Sequence, residues 1–245
     1  MTSFTKTLVL YQPLNGYCYN SDTHFLFNFI HKNLQNFKNI KGELLDIGSG
    51  SGVLGLLVAR DFKKLNLNQC EIQKPFQFLS QKNAQINKID NTLFKDDFIN
   101  CEFNKQFDYI VSNPPFYHCD VIKSENENIK IARYNDNMPL KDFIKKTSKL
   151  LKPKGQLFFC YDVKQLDLII ELLNQYKLNI ESMQFLHPNS KKEASLVMIY
   201  ARNNSKSKLK IFPPFIMFNE DGTFSDETNK IYDKCSTHSI KCEIL

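Results

Sequence analysis

The sequence predicts an α/β fold, in which a mixed seven-stranded, mostly parallel sheet is covered by helices on both faces and ends in an antiparallel strand pair. Three observations support this prediction. Short apolar strands alternate with segments of helical periodicity through the middle of the chain. A glycine-rich loop connects the first of these strands to a helix. The last two strands are separated only by HPNSKKE, which is too short for a crossover helix and indicates a hairpin.

The elements follow from this periodicity in chain order. Near the N-terminus we expect one helix at 23–34, with Ser21 and Asp22 as its N-caps. Strands are expected at 43–48, 69–72, 92–97, 107–113, 155–161, 180–188 and 194–202, and helices at 52–62, 75–87, 140–151 and 163–176. The last of these helices has an apolar face, formed by Leu166, Ile169, Ile170 and Leu173.

The composition is that of one globular domain over residues 1–245, since 42% of the residues are hydrophobic and 13% are aromatic. We expect an N-terminal helical cap (1–40), a core (41–202) and a polar C-terminal arm (203–245) with an apolar anchor at 211–218. The chain does not begin like a signal peptide, and its apolar stretch at 53–59 is far below the ~20 residues that span a membrane. We therefore expect a cytoplasmic protein.

The seven cysteines are odd in number and include no C-x-x-C pair, which is typical of a reducing compartment. Cys235, His238 and Cys242 form the one cluster that suggests a metal site. Zinc sites in proteins usually have four ligands, and this segment offers three in a polar, terminal context. We therefore predict a tail there, and no bound metal.

The net charge of +6 and a pI of about 8.8 favour a polyanionic partner such as nucleic acid. Basic residues gather at 141–154, at Lys191 and Lys192, and at 206–210, which includes Lys206 and Lys208. A solvated lysine surface without a partner is the alternative interpretation of these clusters.

The segment LLDIGSGSGVLG (44–55) runs from an apolar strand through glycines into a helix, as in loops whose backbone amides bind a ligand. Gly50, Gly52 and Gly55 match the G-x-G-x-x-G pattern of dinucleotide-binding proteins. That pattern requires its first glycine directly after the strand, which ends at 47. The alternative set of Gly48, Gly50 and Gly52, with Asp46 two residues before it, fits this position better.

Acidic residues are predicted at the ends of the next two strands. Glu71 ends the second strand, where a carboxylate can accept hydrogen bonds from both ribose hydroxyls of a nucleoside. Asp97 ends the third strand and can accept from an adenine amino group, with Asp96 as the neighbouring candidate. We therefore expect a nucleoside-containing cofactor at this edge of the sheet.

The fourth strand runs into Asn-Pro-Pro-Phe at 113–116. Prolines hold this corner rigid, so the Asn113 side-chain oxygen and the Pro114 carbonyl can act as a fixed pair of acceptors. Such a pair can accept hydrogen bonds from both N–H groups of an exocyclic amine and direct the nitrogen lone pair toward a methyl group. Phe116 offers a ring on which a flipped-out base can stack. A strand-ending turn without a catalytic role is the alternative.

The sequence resembles the bacterial tRNA adenine-N6 methyltransferases that modify adenine 37 of a valine tRNA. The resemblance covers most of the chain, including QPLNGYCYNSDTHFLFNFI (12–30), LLDIGSGSGVLGLLVA, FDYIVSNPPFY and LKIFPPFIMFNEDGTFSDE (209–227). It implies a Rossmann-like class I methyltransferase fold, S-adenosyl-L-methionine as cofactor and a tRNA anticodon loop as substrate.

The resemblance also implies roles for individual residues. The cofactor-binding residues would be Asp46, Gly48, Gly50, Gly52, Glu71, Asp97 and Asn113. The catalytic residues would be Asn113, Pro114, Pro115 and Phe116. The residues predicted to contact RNA are Phe116 and Tyr117 and, from the basic clusters, Lys191, Lys192, Lys206 and Lys208.

Three other functions share parts of this pattern. A release-factor glutamine methyltransferase has a similar Asn-Pro-Pro corner but resembles proteins with a helical domain ahead of the glycine loop, where this chain has about 45 residues. A guanine-N2 methyltransferase of ribosomal RNA could use the same acceptors. A non-enzymatic RNA-binding protein on this fold is the alternative of a different class.

Overall fold

The computed structural model describes residues 6–15, 18–114 and 138–243. The strands are β1 (Leu8–Pro13), β2 (Gly42–Ile47), β3 (Leu65–Cys70), β4 (Asn91–Phe94), β5 (Phe107–Ser112), β6 (Leu151–Asp162), β7 (Leu178–His187), β8 (Leu196–Asn203), β9 (Lys210–Ile211), β10 (Phe215–Ile216) and β11 (Thr237–Cys242). The helices are α1 (Ser21–Leu34), α2 (Val53–Asp61), α3 (Lys74–Asn87), α4 (Leu140–Leu150), α5 (Leu166–Gln175) and α6 (Asp226–Cys235).

The central sheet has the order β10-β7-β8-β6-β5-β2-β3-β4. Strands β2 to β6 are parallel, and β8 runs antiparallel between β6 and β7. The predicted seven strands and their antiparallel hairpin are therefore confirmed. Within the described residues the sheet has nine strands, because the short β9 and β10 both pair with β7.

The connections of the sheet place helices on both of its faces. The chain moves in one direction along the sheet from β2 through α2 to β3, and in the other direction from β5 through α4 to β6. Because both crossovers have the same hand, α2 and α4 lie on opposite faces. Core residues such as Leu45, Ile110 and Phe158 are fully buried between these layers.

Strand β3 is longer than predicted, because its polar residues are paired inside the sheet. The Glu43 carboxylate accepts hydrogen bonds from the side-chain amides of Asn66 (2.8 Å) and Asn68 (2.9 Å). The sequence predicts this strand only at 69–72. The strand begins at Leu65 and ends at Cys70, one residue before Glu71.

The N-terminus contains a strand that the sequence did not predict. β1 pairs in parallel with β11, so the two ends of the chain form a separate two-stranded sheet. The expected arm also carries β9, β10 and α6, and in its anchor Phe215 is buried whereas Ile211 is exposed. The division at residues 40 and 202 stays a prediction.

Two local predictions were wrong. Helix α1 begins at Ser21 with Asn20 as its N-cap, and no side-chain hydrogen bond caps it, so Ser21 and Asp22 are not N-caps. The expected helix at 163–176 is a 3-10 turn, Val163–Gln165, followed by α5, whose buried residues are Ile169, Leu172 and Leu173. Ile170, which was predicted on the apolar face, is exposed.

The cysteine and membrane observations are limited to the described ranges. There, six cysteines are free, with Cys235 buried in α6 and Cys242 on β11. No three or more His, Cys, Asp or Glu side chains in these ranges are grouped so that they could hold a metal ion. Across the same ranges, none of the helices is long and apolar enough to cross a membrane.

Candidate active site

A pocket lies where β2 and β5 end side by side. Ile47 and Ser112, the last residues of these strands, are paired in register, so Gly48 and Asn113 leave the sheet next to each other. The pocket is lined by residues of both strand ends and of α1, among them Asp46, Gly48, Gly50, Thr23 and Asn113. The structure therefore brings the predicted glycine loop and Asn113, the first residue of the predicted corner, to one cavity.

The three glycines of the second set share a left-handed backbone conformation. Gly48, Gly50 and Gly52 all have positive φ angles, of 62°, 53° and 89°. A Cβ at Gly50 would meet nothing within 4 Å, so this side of the loop is open. Gly55 has another role, because a Cβ there would come within 2.8 Å of Asp46 Oδ2.

Asp46 is buried under the loop. Its Oδ2 accepts a hydrogen bond from the backbone N–H of Gly55 at 2.9 Å. Burial raises the pKa of its carboxyl to about 7; the hydrogen bonds from Gly55 and from the Gln69 side chain oppose this rise, and the charge of Glu71 adds to it. The pocket therefore has a titratable carboxyl in its floor.

Glu71 connects the glycine loop to the end of β3. Its Oε2 accepts from the backbone N–H of Gly50 and its Oε1 from that of Gln73, both at 2.8 Å. Burial raises the pKa of this carboxyl, while these backbone hydrogen bonds lower it. Each carboxylate oxygen keeps further lone pairs, so Glu71 can still accept from ligand hydroxyls.

Asp97 lies farther from the sheet than predicted. β4 ends at Phe94, and the Asp97 carboxylate accepts from the backbone N–H of Ile99 (3.0 Å) and the side chain of Asn100 (2.6 Å). Asp97 thus caps the turn that follows. Asp96 is more exposed, and its Oδ1 accepts from the backbone N–H of Asp97 at 2.8 Å. The choice between the two for an adenine contact stays a prediction.

Asn113 lies between the sheet and α1. Its Oδ1 accepts a hydrogen bond from the Cys160 thiol, with Sγ and Oδ1 3.0 Å apart, and its Nδ2 donates to Thr23 Oγ1 at 3.3 Å. Pro114 is buried. The predicted Pro115, Phe116 and Tyr117 lie outside the described residues.

Sequence reasoning missed several residues of the pocket. Tyr19 lines it from just before α1, Thr23 from the first turn of α1, and Phe76 from α3. The sequence could have indicated Tyr19 and Thr23, since both lie in the stretch NGYCYNSDT, which is part of the resemblance to the tRNA methyltransferases. Ser49 also lines the pocket, and its buried Oγ has no hydrogen-bond partner among the described residues. An unpaired buried hydroxyl beside open space is what a ligand-binding loop provides.

Two of the three predicted basic clusters lie near opposite ends of β7. Lys191 and Lys192 follow β7, whose carboxyl end is at the pocket edge, and Lys191 forms an ion pair with Glu220 at 3.1 Å. The segment with Lys206 and Lys208 contacts the start of β7, where Asn179 Nδ2 donates to the Ser207 carbonyl. The structure therefore does not bring the clusters together.

The pocket suits S-adenosylmethionine, as its donors and acceptors are of the types that this cofactor needs. The open backbone at Gly50 and the unpaired Ser49 hydroxyl face the cavity that Asp46 lines. The unpaired hydroxyl can bind a carboxylate, and acidic side chains can bind an ammonium group or ribose hydroxyls.

Comparisons with known proteins agree with this geometry. A tRNA1(Val) (adenine(37)-N6)-methyltransferase of Flavobacterium psychrophilum is 28% identical over 65% of this chain and 70% of its own. A release factor glutamine methyltransferase of the same organism is 30% identical over 58% of this chain and 53% of its own. A crystal structure of a predicted O-methyltransferase from Agrobacterium tumefaciens has the same fold, with a TM-score of 0.65 at 14% identity, over 90% of this chain and 99% of its own.

The model of the methyltransferase small domain family matches residues 22–185, which is more than half of the chain. The matched residues run from α1 to β7 and include the glycine loop, Glu71 and Asn113. The chain therefore belongs to the methyltransferase small domain family and is a methyltransferase that uses S-adenosylmethionine.

Proposed function

We propose that this enzyme methylates the exocyclic N6 amine of an adenine in RNA, and that its substrate is adenine 37 in the anticodon loop of a valine tRNA. The observation that carries the proposal is the position of Asn113, which lines the same pocket as Asp46 and the glycine loop. The names of relatives such as the Flavobacterium psychrophilum enzyme support the choice of tRNA. Because tRNA is found in the cytoplasm, we also propose a cytoplasmic location for the enzyme.

The cofactor supplies a methyl group bonded to a positively charged sulfur, which is an electrophile. Asp46 and the loop of Gly48, Gly50 and Gly52 would hold its methionine end. Glu71 would accept from its ribose hydroxyls, and Asp97 or Asp96 from its adenine. These groups fix the position of the cofactor, and most of the rate gain then comes from alignment.

On the substrate side, the amine of adenine is a poor nucleophile because its lone pair is delocalised into the ring. The Asn113 Oδ1 and the Pro114 carbonyl would accept hydrogen bonds from the two N–H groups of the adenine amine. These contacts would direct the nitrogen lone pair toward the methyl group. Pro115 would keep the corner rigid, and Phe116 and Tyr117 would stack with the flipped base. The proton can leave after transfer, so no strong base is needed next to the amine.

We expect Asn113→Ala to remove most methyl transfer while largely sparing the binding of cofactor and RNA, because the contact is made mainly in the transition state. The expected loss is about two to three powers of ten in rate, by analogy with the deletion of one oxyanion-hole donor. The measurement is mass spectrometry of nucleosides after incubation of tRNA with enzyme and labelled cofactor, together with binding assays. Full activity of Asn113→Ala would show that the corner at 113–116 is a strand-ending turn without a catalytic role.

The same experiment separates the alternatives. A release-factor glutamine methyltransferase is the second candidate, favoured by the 30% identical relative. It would label a release factor in parallel reactions and leave tRNA unlabelled. N2-methylguanosine as the product would instead assign the guanine-specific reaction, and no labelled product despite cofactor binding would favour a binding protein.

A further inference from the structure

The orientation of the Asn113 amide is set by contacts on both of its ends. Cys160 lies on β6, next to β5 in the sheet, and its thiol donates to Oδ1 at 3.0 Å. Thr23 lies on α1 and its hydroxyl accepts from Nδ2 at 3.3 Å. Asn113 is therefore held between the sheet and the N-terminal helix, at the wall of the cofactor pocket.

The two ends of an amide have nearly the same size but opposite hydrogen-bonding character. The oxygen accepts two hydrogen bonds and the nitrogen only donates. If the Asn113 amide were rotated by half a turn, an N–H group would replace the oxygen that the substrate amine needs. The Thr23 hydroxyl fits either orientation, since it can donate or accept. The thiol favours the observed orientation, because its weak S–H donor then meets the amide oxygen, a good acceptor, whereas a rotated amide would direct an N–H group at sulfur, a weak acceptor.

Cys160 is suited to this selective role by its surroundings. The side chain is 1% exposed, and burial, with a smaller contribution from the negative charge of Asp22, raises the pKa of its thiol well above the usual range. The thiol therefore stays protonated and remains a donor. Oδ1 keeps a second lone pair for another donor.

We propose that Cys160 is a positioning residue, which holds the Asn113 amide with its oxygen available to the substrate amine. This inference rests on the proposed function, because it assumes that Oδ1 accepts from an exocyclic amine. It adds a residue from β6 that touches neither cofactor nor substrate and acts through Asn113.

The test compares two substitutions at one site. Cys160→Ala removes the donor, and we expect kcat to fall about tenfold, which is near the upper limit for one hydrogen bond to a neutral group. The KM for tRNA and the affinity for S-adenosylhomocysteine should stay near wild type. Cys160→Ser restores a donor of similar size, and its kcat should return to within about threefold of wild type.

Cys235→Ala is the matched control, because it removes an equally buried thiol from α6. Its kcat should equal that of wild type, and its melting temperature shows the cost of losing one buried sulfur. Wild-type kcat in Cys160→Ala would overturn the inference, as would equal losses in the Ala and Ser variants, which would indicate packing. The proposed function fails separately, if the wild-type enzyme forms no N6-methyladenosine.

Discussion

Asp46 shows how a single residue of the pocket makes stability depend on pH. The pKa of its carboxyl is about 7 in the folded protein against a usual 3.8, chiefly because it is buried. The folded state therefore binds the proton more tightly than the unfolded state does. The stability that this group contributes is fully present below about pH 4 and is lost as the pH rises through about 7. Ionisation of Asp46 therefore places a negative charge in the pocket and lowers the stability of the folded protein.

We expect Asp46→Asn to lose less thermal stability than wild type between about pH 5 and pH 8, because the amide carries no charge to bury. Its oxygen can still accept from Gly55. Part of the wild-type slope should remain, since burial also raises the pKa of Glu71. Thermal unfolding of the ligand-free protein across this range is the measurement, and affinity for S-adenosylhomocysteine at pH 8 should fall.

Glu43→Gln provides the control for this pH dependence. Burial opposes ionisation of Glu43, but hydrogen bonds from Lys105, Asn66 and Asn68 outweigh it and lower its pKa to about 2. A lowered pKa contributes stability that is lost only in acid, so the slope above pH 5 should not change. If the thermal stability of Asp46→Asn fell with rising pH as steeply as that of wild type, Asp46 would ionise as readily in the folded protein as in the unfolded chain.

At the residue level, the sequence identified side chains that follow strand ends and missed those that reach the pocket from elsewhere. Asp46, Glu71 and Asn113 were found because apolar strands lead into them. Cys160 and Thr23 contact Asn113 only through sheet order and the position of α1, to which no local pattern points. Asp97 was assigned to a strand end because four residues of β4 gave too weak a pattern to mark its boundary.

At the level of elements, β1 depends on α3 for the backbone pairing of two of its six residues. Asn87 and Asn83 lie one helical turn apart and each bonds to both backbone groups of one β1 residue. Asn87 pairs with Val9 at 3.0 and 2.7 Å, and Asn83 pairs with Tyr11 at 2.7 and 3.0 Å. Helix α3 thus replaces a neighbouring strand. Periodicity cannot predict such pairing, which explains why β1 was missed.

We expect Asn87→Ala and Asn83→Ala each to destabilise the protein by about 1–3 kcal/mol, because backbone groups of β1 lose their partners. Only Asn83→Ala should also weaken binding of S-adenosylhomocysteine, since Asn83 Nδ2 donates to the Ser51 carbonyl of the glycine loop at 2.9 Å. Urea unfolding and calorimetry measure the two effects.

Gln81→Ala, at an exposed position of α3, is the control and should change stability by less than about 0.5 kcal/mol. If the cofactor affinities of Asn83→Ala and Asn87→Ala were equal, the hydrogen bond to Ser51 would not support the loop.

At the level of the whole molecule, the sheet separates two of the basic clusters that the sequence predicted to contact RNA. Lys191 and Lys192 lie at the pocket edge, and Lys206 and Lys208 near the start of β7. The 10 residues of β7 span roughly 30 Å between these edges. Basic composition predicted a polyanion partner, but strand direction decides which lysines lie at the same edge of the sheet as the pocket. A short RNA in the pocket would lie nearer to the first cluster, whereas a folded tRNA is long enough to reach both.

We therefore expect charge reversal at Lys191 and Lys192 to weaken binding of both an anticodon stem–loop and full-length tRNA. The log–log dependence of affinity on salt should become shallower by about 0.7 for each phosphate of single-stranded RNA that the protein no longer neutralises. Charge reversal at Lys206 and Lys208 should leave stem–loop binding unchanged and weaken only the binding of full-length tRNA.

The two variants change the net charge by the same amount, so a difference between them reports the position of the lysines and not the net charge. Equal effects of both variants on the stem–loop would show that the RNA does not enter from the pocket edge. Unchanged affinity and slope in both would make these clusters a solvated surface.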